Sequence, residues 1–200
     1  GGGAMMLAFG MLAAIVSARE TGEGQVVDAA MTEGSSLLAT LIHSMRDLGM
    51  WTDEPGTNLL DSGSHFYEVY ECADGGHFAV GALEPQFYAE LLRILELDWD
   101  EFPQMERERW AEFKSVFAEV FKTRTRDEWA EAFDGSEACA TPVLGLGEAH
   151  EHPHNRARGS FVEVGGKLQP APVLYCCGTP ADLHASPSRR SADTDAALAV

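Results

Sequence analysis

A single carboxylate, Glu84, stands where a strand-like run gives way to Pro85 and a helical pattern. An acid at such a corner either offsets the positive end of a helix dipole or is a placed catalytic group. The local residues alone favour the first. His150, His152 and His154 alternate with Glu151 and Pro153. Three imidazoles so spaced can hold Zn²⁺ or Ni²⁺, but Pro153 and the lack of a nearby fourth ligand weigh against it, and no metal is expected. Asp28, in the run QVVDAAM, reads better as a helix N-cap after a buried strand than as a catalytic acid. Gly22-x-Gly24 follows a helix rather than a strand, which argues against a dinucleotide loop. There is no Gly-x-Ser-x-Gly elbow and no P-loop. Cys72, Cys139, Cys176 and Cys177 form no disulfide framework and no C-x-x-C pair. Buried reduced thiols are expected, with a redox role for the adjacent Cys176 and Cys177 as the lesser reading.

The elements that must position these groups follow from patterning. Phe66–Tyr70 and His77–Val80 flank Ala73-Asp74-Gly75-Gly76, the signature of a hairpin with glycine where positive φ is needed. A helix follows from Pro85 to about Leu95. Arg107–Phe121 and Asp127–Phe133 read as amphipathic helices, with Trp110, Phe113, Phe117 and Phe121 on one buried face and the charges outward. Earlier in the chain, Ala4–Glu20 is apolar on nearly all sides and reads as an interior helix whose Ala8, Gly10, Ala13 and Ala14 admit a close neighbour. Thr21–Gly24 stops it. Gln25–Asp28 reads as a short strand and Ala29–Gly49 as one helix with an apolar stripe through Met31, Leu37, Leu38, Leu41 and Met45. Trp51–Ser64 reads as a long polar loop, a linker or a binding segment. Thr141–Leu144 looks extended and Gly147–His154 a polar turn or short helix. Ser160–Val164 and Lys167–Val173 pair through Gly165-Gly166, and little order is expected from Thr179 onward.

Composition bounds the partners. The 200 residues are 45% hydrophobic and 9% aromatic, enough for a true core. A formal net charge of −18 disfavours nucleic acid and anionic membranes. Gly3–Val16 is apolar but lacks a basic flank and reads as too short to span a bilayer. No membrane association and a cytoplasmic location are expected.

The run YECADGGHFAVGALEPQFY around Glu84 resembles the α-methylacyl-CoA racemase branch of the family III CoA-transferases, the CaiB/BaiF group. The resemblance extends over almost the whole chain. ARETGEGQVVDAAMTEGSS looks like the family's helix, Gly-x-Gly-Gln turn, strand and second helix. GMWTDEPGTNLLDSG follows it, and ACATPVLGLGEAHEHPHNRARGSF looks like the segment that returns to the large domain.

This resemblance implies an α/β fold in which residues 1–57 belong to a large domain, 58–158 form a small α+β domain, and 159–200 return to the large one. It implies an interlocked homodimer with sites built between the large domain of one subunit and the small domain of the other. The implied reaction is racemisation of 2-methylacyl-CoA thioesters by 1,1-proton transfer through an enolate, with coenzyme A part of the substrate and no cofactor. By resemblance a His and an Asp transfer the protons and both lie ahead of Gly1, so the chain reads as the C-terminal part of a longer enzyme. Glu84 then supports the His. Gly1, Gly2 and Gly3 match the loop beside the Asp, although triglycine is also a common engineered scar. Met31, Met50, Leu60, Tyr67 and Leu83 lie in segments that flank the family's active site, where methionine adapts to varied acyl shapes. Only 14 basic residues are present, so either the phosphate-binding part lies elsewhere or the ligand is not phosphorylated. The alternatives are a CoA-transferase that carries the acyl group on the Asp, and an inactive fragment that only dimerises. An apolar first helix without its sheet predicts association or aggregation of the chain alone.

Overall fold

The computed structural model describes residues 1–172, 177–179 and 181. It divides into two compact units, Gly1–Pro142 and Val143–Val200. The first opens with α1 (Ala4–Thr21), α2 (Met31–Leu38) and α3 (Thr40–Asp47). It continues with β1 (Tyr67–Glu71), β2 (His77–Gly81), α4 (Pro85–Leu95), α5 (Trp110–Phe121), α6 (Arg126–Phe133) and β3 (Ala140–Pro142). The second contains α7 (Pro153–Arg158), β4 (Phe161–Val164) and β5 (Lys167–Pro170).

The core of the first unit is an aromatic layer between the β1–β2–β3 sheet and helices α4 to α6. Both sheet pairings are antiparallel, with Tyr67 opposite Gly81 and Ala79 opposite Thr141. Alternation along the strands sends Tyr70, Phe78 and Val80 inward and leaves Tyr67 and Val69 on the other face. Trp110, Phe113, Phe117 and Phe121 recur every three or four residues and are all buried, as the periodicity of α5 predicts. Tyr70 stacks on Phe121 with ring centroids 4.9 Å apart. Phe117 is fully buried, and its truncation to Ala is expected to cost about 3–5 kcal/mol. Thr125 caps α6: its hydroxyl accepts from the Glu128 N–H, and the Glu128 carboxylate accepts from the Thr125 N–H in return.

The N-terminal segment departs from its sequence pattern. None of the residues of α1 is buried among the described residues, against the expectation of an interior helix. A helix apolar all round needs neighbours on every side, and here Gly10 meets Val27 while most of its surface is left open. At 18 residues and a mean hydropathy of 1.3, α1 is long and apolar enough by length and composition to cross a membrane, so "too short" does not hold. Gln25–Asp28 forms no strand, because no described segment pairs with it. The single helix expected over Ala29–Gly49 is two, broken at Ala39 (φ −84°, ψ 8°). Asp28 caps nothing: the N-cap of α2 is Ala30. Of the expected stripe only Met45 is buried; Met31, Leu37, Leu38 and Leu41 are exposed.

Trp51–Ser64 is a hydrogen-bonded loop rather than a loose linker. Asn58, 1% exposed, accepts from the Thr52 N–H at 2.8 Å and donates to the Thr52 carbonyl and the Asp61 carboxylate. Gly63 is closed against Asn58, donating to its carbonyl at 3.1 Å. Burial pushes the Asp61 carboxyl up, but hydrogen bonds from the Asn58 side chain and from the Asn58, Gly56 and Gly63 backbone outweigh it and hold it below its ordinary range.

In the second unit β4 and β5 form the expected hairpin through Gly165 and Gly166, both at positive φ, with β5 ending at Pro170. A short 3₁₀ turn, Ala149–Glu151, precedes α7. Of the cysteines, Cys72 is buried, but Cys139 and Cys177 are exposed, correcting the expectation of buried thiols. Cys139 lies at positive φ just before β3. Cys176 and nearly all of the segment from Thr179 lie outside the described residues.

Candidate active site

Glu84 sits at the corner between β2 and α4, one residue ahead of Pro85. Proline at the first helical position costs no hydrogen bond and presets φ, so the helix starts there. Glu84 itself is extended (φ −77°, ψ 143°) and is the N-cap residue, yet its side chain makes no capping bond. That separates it from a hydrogen-bonded side-chain cap, though a charge favoured by the helix dipole needs no such bond. Its backbone is held on both sides. The Glu84 carbonyl accepts from the Phe87 and Tyr88 N–H groups, each at 3.0 Å. Ahead of it, the Leu83 N–H donates to the Gly81 carbonyl at 2.9 Å, a three-residue turn that ends the strand. The carboxylate is exposed.

Of the remaining candidates some group at the Glu84 corner and some on α2, while Leu60 and Met50 lie in the connection between α3 and β1. At the corner, Leu83 neighbours Glu84, and Tyr67 lies opposite Gly81 across β1 and β2. Tyr67 shares a shallow groove of about 320 Å³ on the outer sheet face with Val69, Ala79, Gly81, Cys139 and Thr141. Burial, and then the neighbouring Glu84 charge, push the Cys139 thiol up. Leu60 is half-buried in the loop organised by Asn58. Gly1, Gly2 and Gly3 lie directly on α2. A Cβ on Gly3 would be 2.8 Å from Met31 Cγ, one on Gly2 2.7 Å from Ser35 N, and one on Gly1 3.2 Å from Leu38 Cδ1. At Gly2 the obstacle is backbone, so glycine is required there, as it is at Gly34 on the opposite side; at Gly1 and Gly3 a side chain would displace the flexible Leu38 and Met31. Met31 is 74% exposed, and Met50, three residues beyond α3, is exposed too.

Several positioning residues carried no motif. His65 is fully buried; its Nε2 lies 2.7 Å from the Tyr88 hydroxyl, which donates to the Phe102 carbonyl at 2.8 Å. Because the Tyr88 proton is committed to Phe102, Nε2–H of His65 is the donor to Tyr88, and the bare Nδ1 is buried with no hydrogen-bond partner among the described residues. Burial holds the imidazole pKa down at about 3. This pair pins the first turn of α4 to the core. Lys114 of α5 donates to the Ser62 carbonyl and pairs with Glu68 at 2.6 Å, tying loop, helix and strand together. The signal in the sequence was a polar residue among aromatics, SHFYEVY, which is legible only as an exception to the core pattern.

Among the described residues no group of three or more His, Cys, Asp and Glu side chains is placed to hold a metal ion. His150 Nε2 faces Glu151 at 3.8 Å, and His152 Nδ1 accepts from the His154 N–H at 3.3 Å.

The chain is 45% identical over 178 residues to mouse alpha-methylacyl-CoA racemase, covering 87% of the chain and 47% of that protein. It is 45% identical over 184 residues to the human protein of that name, covering 90% and 48%. The chain thus spans about half the length of the curated relatives it matches. Among solved structures it superposes on a CAIB/BAIF family protein from Brucella suis with a TM-score of 0.68 at 18% identity, covering 96% of this chain and 52% of that one. It superposes on Rv3272 from Mycobacterium tuberculosis with a TM-score of 0.69 at 17% identity, covering 90% and 48%. These likenesses give the fold, an α/β fold of the family III CoA-transferase type. With a match over residues 2–194, the chain belongs to CoA-transferase family III.

Proposed function

We propose that this chain supplies part of the active site of an enzyme that racemises 2-methylacyl-CoA thioesters by 1,1-proton transfer through an enolate. The observation that carries the reading is the sequence identity shared with the mouse and human racemases along nearly the whole chain. The corner geometry supports it. Racemisation needs one group to remove the α-proton, another to deliver a proton to the opposite face, and stabilisation of the enolate oxygen. A carboxylate with a rigid backbone and an uncommitted side chain, as Glu84 has, is suited to accept a hydrogen bond from an imidazole, orient the ring and raise its basicity. On this reading the proton-transferring His and Asp come from outside the chain. Gly1–Gly3, Met31, Met50, Leu60, Tyr67 and Leu83 border the acyl-CoA.

The chemistry moves protons only, so it requires no redox cofactor and no metal. The enzyme works as a cytoplasmic homodimer. Residues 58–158 form the small domain, and 1–57 and 159–200 belong to the large one. In this reading α1 packs within protein rather than in a membrane. Its support is the close approach of Gly10 to Val27, which lipid contact does not call for.

The test is deuterium incorporation. This chain, and a full-length protein containing it, are incubated with a 2-methylacyl-CoA in D₂O and label at C2 is followed by mass spectrometry. Exchange in the full-length protein without an added acceptor acid supports the racemase. A requirement for a second carboxylic acid, with an acyl-enzyme trapped by hydroxylamine, points instead to the transferase. Neither activity means a non-catalytic chain.

A further inference from the structure

We infer that Gln104 is the positioning residue for Glu84, an inference that rests on the proposed role of that carboxylate. Gln104 lies 20 residues downstream in the connection between α4 and α5, and carries no recognisable motif. It is nevertheless one of the few buried polar side chains, 6% exposed. Its amide nitrogen donates to the carbonyl of Ala82 at 3.1 Å and to the carbonyl of Leu83 at 2.9 Å. A primary amide has two N–H donors, and both are spent here.

The geometry of those two acceptors is informative. Successive carbonyls in an extended strand point in opposite directions. At Ala82 and Leu83 both reach one nitrogen, so the amide grips the chain where it leaves the sheet, within the turn closed by Leu83 N–H and Gly81. The Leu83 carbonyl belongs to the peptide plane that contains the Glu84 nitrogen and ends at its Cα. Because that unit is planar, fixing its oxygen fixes the start of the Glu84 residue. The Glu84 carbonyl is fixed from the other side by α4. The backbone of Gln104 is itself tied down, its carbonyl accepting from Trp110 Nε1–H at 2.9 Å. Trp110 is a buried residue at the start of α5. The chain of contacts therefore runs from the aromatic core, through one amide, to the bond that aims the carboxylate. Its one contact with a residue proposed to border the acyl-CoA is with the Leu83 backbone carbonyl.

The test is a double-mutant cycle in a full-length protein containing this chain, read by α-proton exchange. Gln104→Met keeps the volume and removes both donors. It is expected to lower kcat roughly ten- to a hundred-fold, the scale of a misplacement of about 1 Å, with KM little changed. In a Glu84→Gln background the same substitution is expected to have little further effect, because the group it aims is already gone. An equal loss in both backgrounds means a general structural role and overturns the inference. So does a wild-type rate for Gln104→Met where Glu84→Gln is impaired. If Glu84→Gln itself runs at the wild-type rate, the role given to Glu84 fails first and this inference falls with it. If Gln104→Met does not fold, Trp110→Phe, which frees the Gln104 carbonyl while retaining an aromatic ring, decides. A kcat loss that vanishes in the Glu84→Gln background supports the inference, and an unchanged kcat overturns it.

Discussion

The carbonyl of Gly2 lies against the Cα of Gly34, so closely that a Cβ on Gly34 would overlap it. Two opposing considerations bear on Gly34→Ala. In an exposed helix alanine gains about 1 kcal/mol over glycine. Here the overlap is with backbone, and overpacking of that kind costs about 1–3 kcal/mol. The overlap should win: the variant is expected to be less stable and to displace Gly1–Gly3. Urea denaturation checks the sign. In a full-length protein, α-proton exchange is expected to fall with it if, as proposed, Gly1–Gly3 border the substrate.

Glu84 makes no side-chain capping bond and is exposed. Glu84→Gln is therefore expected to leave stability within about 0.5 kcal/mol, the usual range for a surface change without a structural partner. The exchange rate should nevertheless fall about a hundred-fold if the carboxylate orients and activates an imidazole. Thermal melts and deuterium uptake, run on one preparation, separate the two. Unchanged turnover ends the assignment.

Between about pH 6.5 and 3, His65 makes stability depend on pH. The unfolded chain takes up a proton near pH 6.5, whereas the buried ring holds none until about pH 3. The unfolded state then binds more protons, so stability falls as pH drops through this window, by up to about 1.4 kcal/mol per pH unit. His65→Phe should flatten the dependence of urea-derived stability on pH between 7 and 5. A slope as steep as the wild type's would mean that other groups set it.

Asn58 satisfies backbone groups of Thr52 and Glu54 and orders Asp61. Removing a buried hub of this kind strands its partners, each at about 1–3 kcal/mol. Asn58→Ala is expected to destabilise by at least 2 kcal/mol and to increase protease cleavage within Trp51–Ser64. Cleavage at the wild-type rate would show that the loop is held by other contacts.

Local patterning determined much of this protein. The period of α5, the Gly75-Gly76 and Gly165-Gly166 turns and Pro85 each act over a few residues, so hairpins, helix starts and the Glu84 corner were legible in order. The words around Glu84 also carried the family. Tertiary structure decided what depends on distant partners. Whether Ala4–Thr21 is buried, whether Gln25–Asp28 is a strand and where the Ala29–Gly49 helix breaks are set by what packs against them, which no local window contains. The same holds for the candidate site. His65 meets Tyr88 across 23 residues and Gln104 reaches Ala82 across 22. A glutamine in a polar connection and a histidine beside a strand declare their roles only once folding has buried them and given their hydrogen bonds a partner.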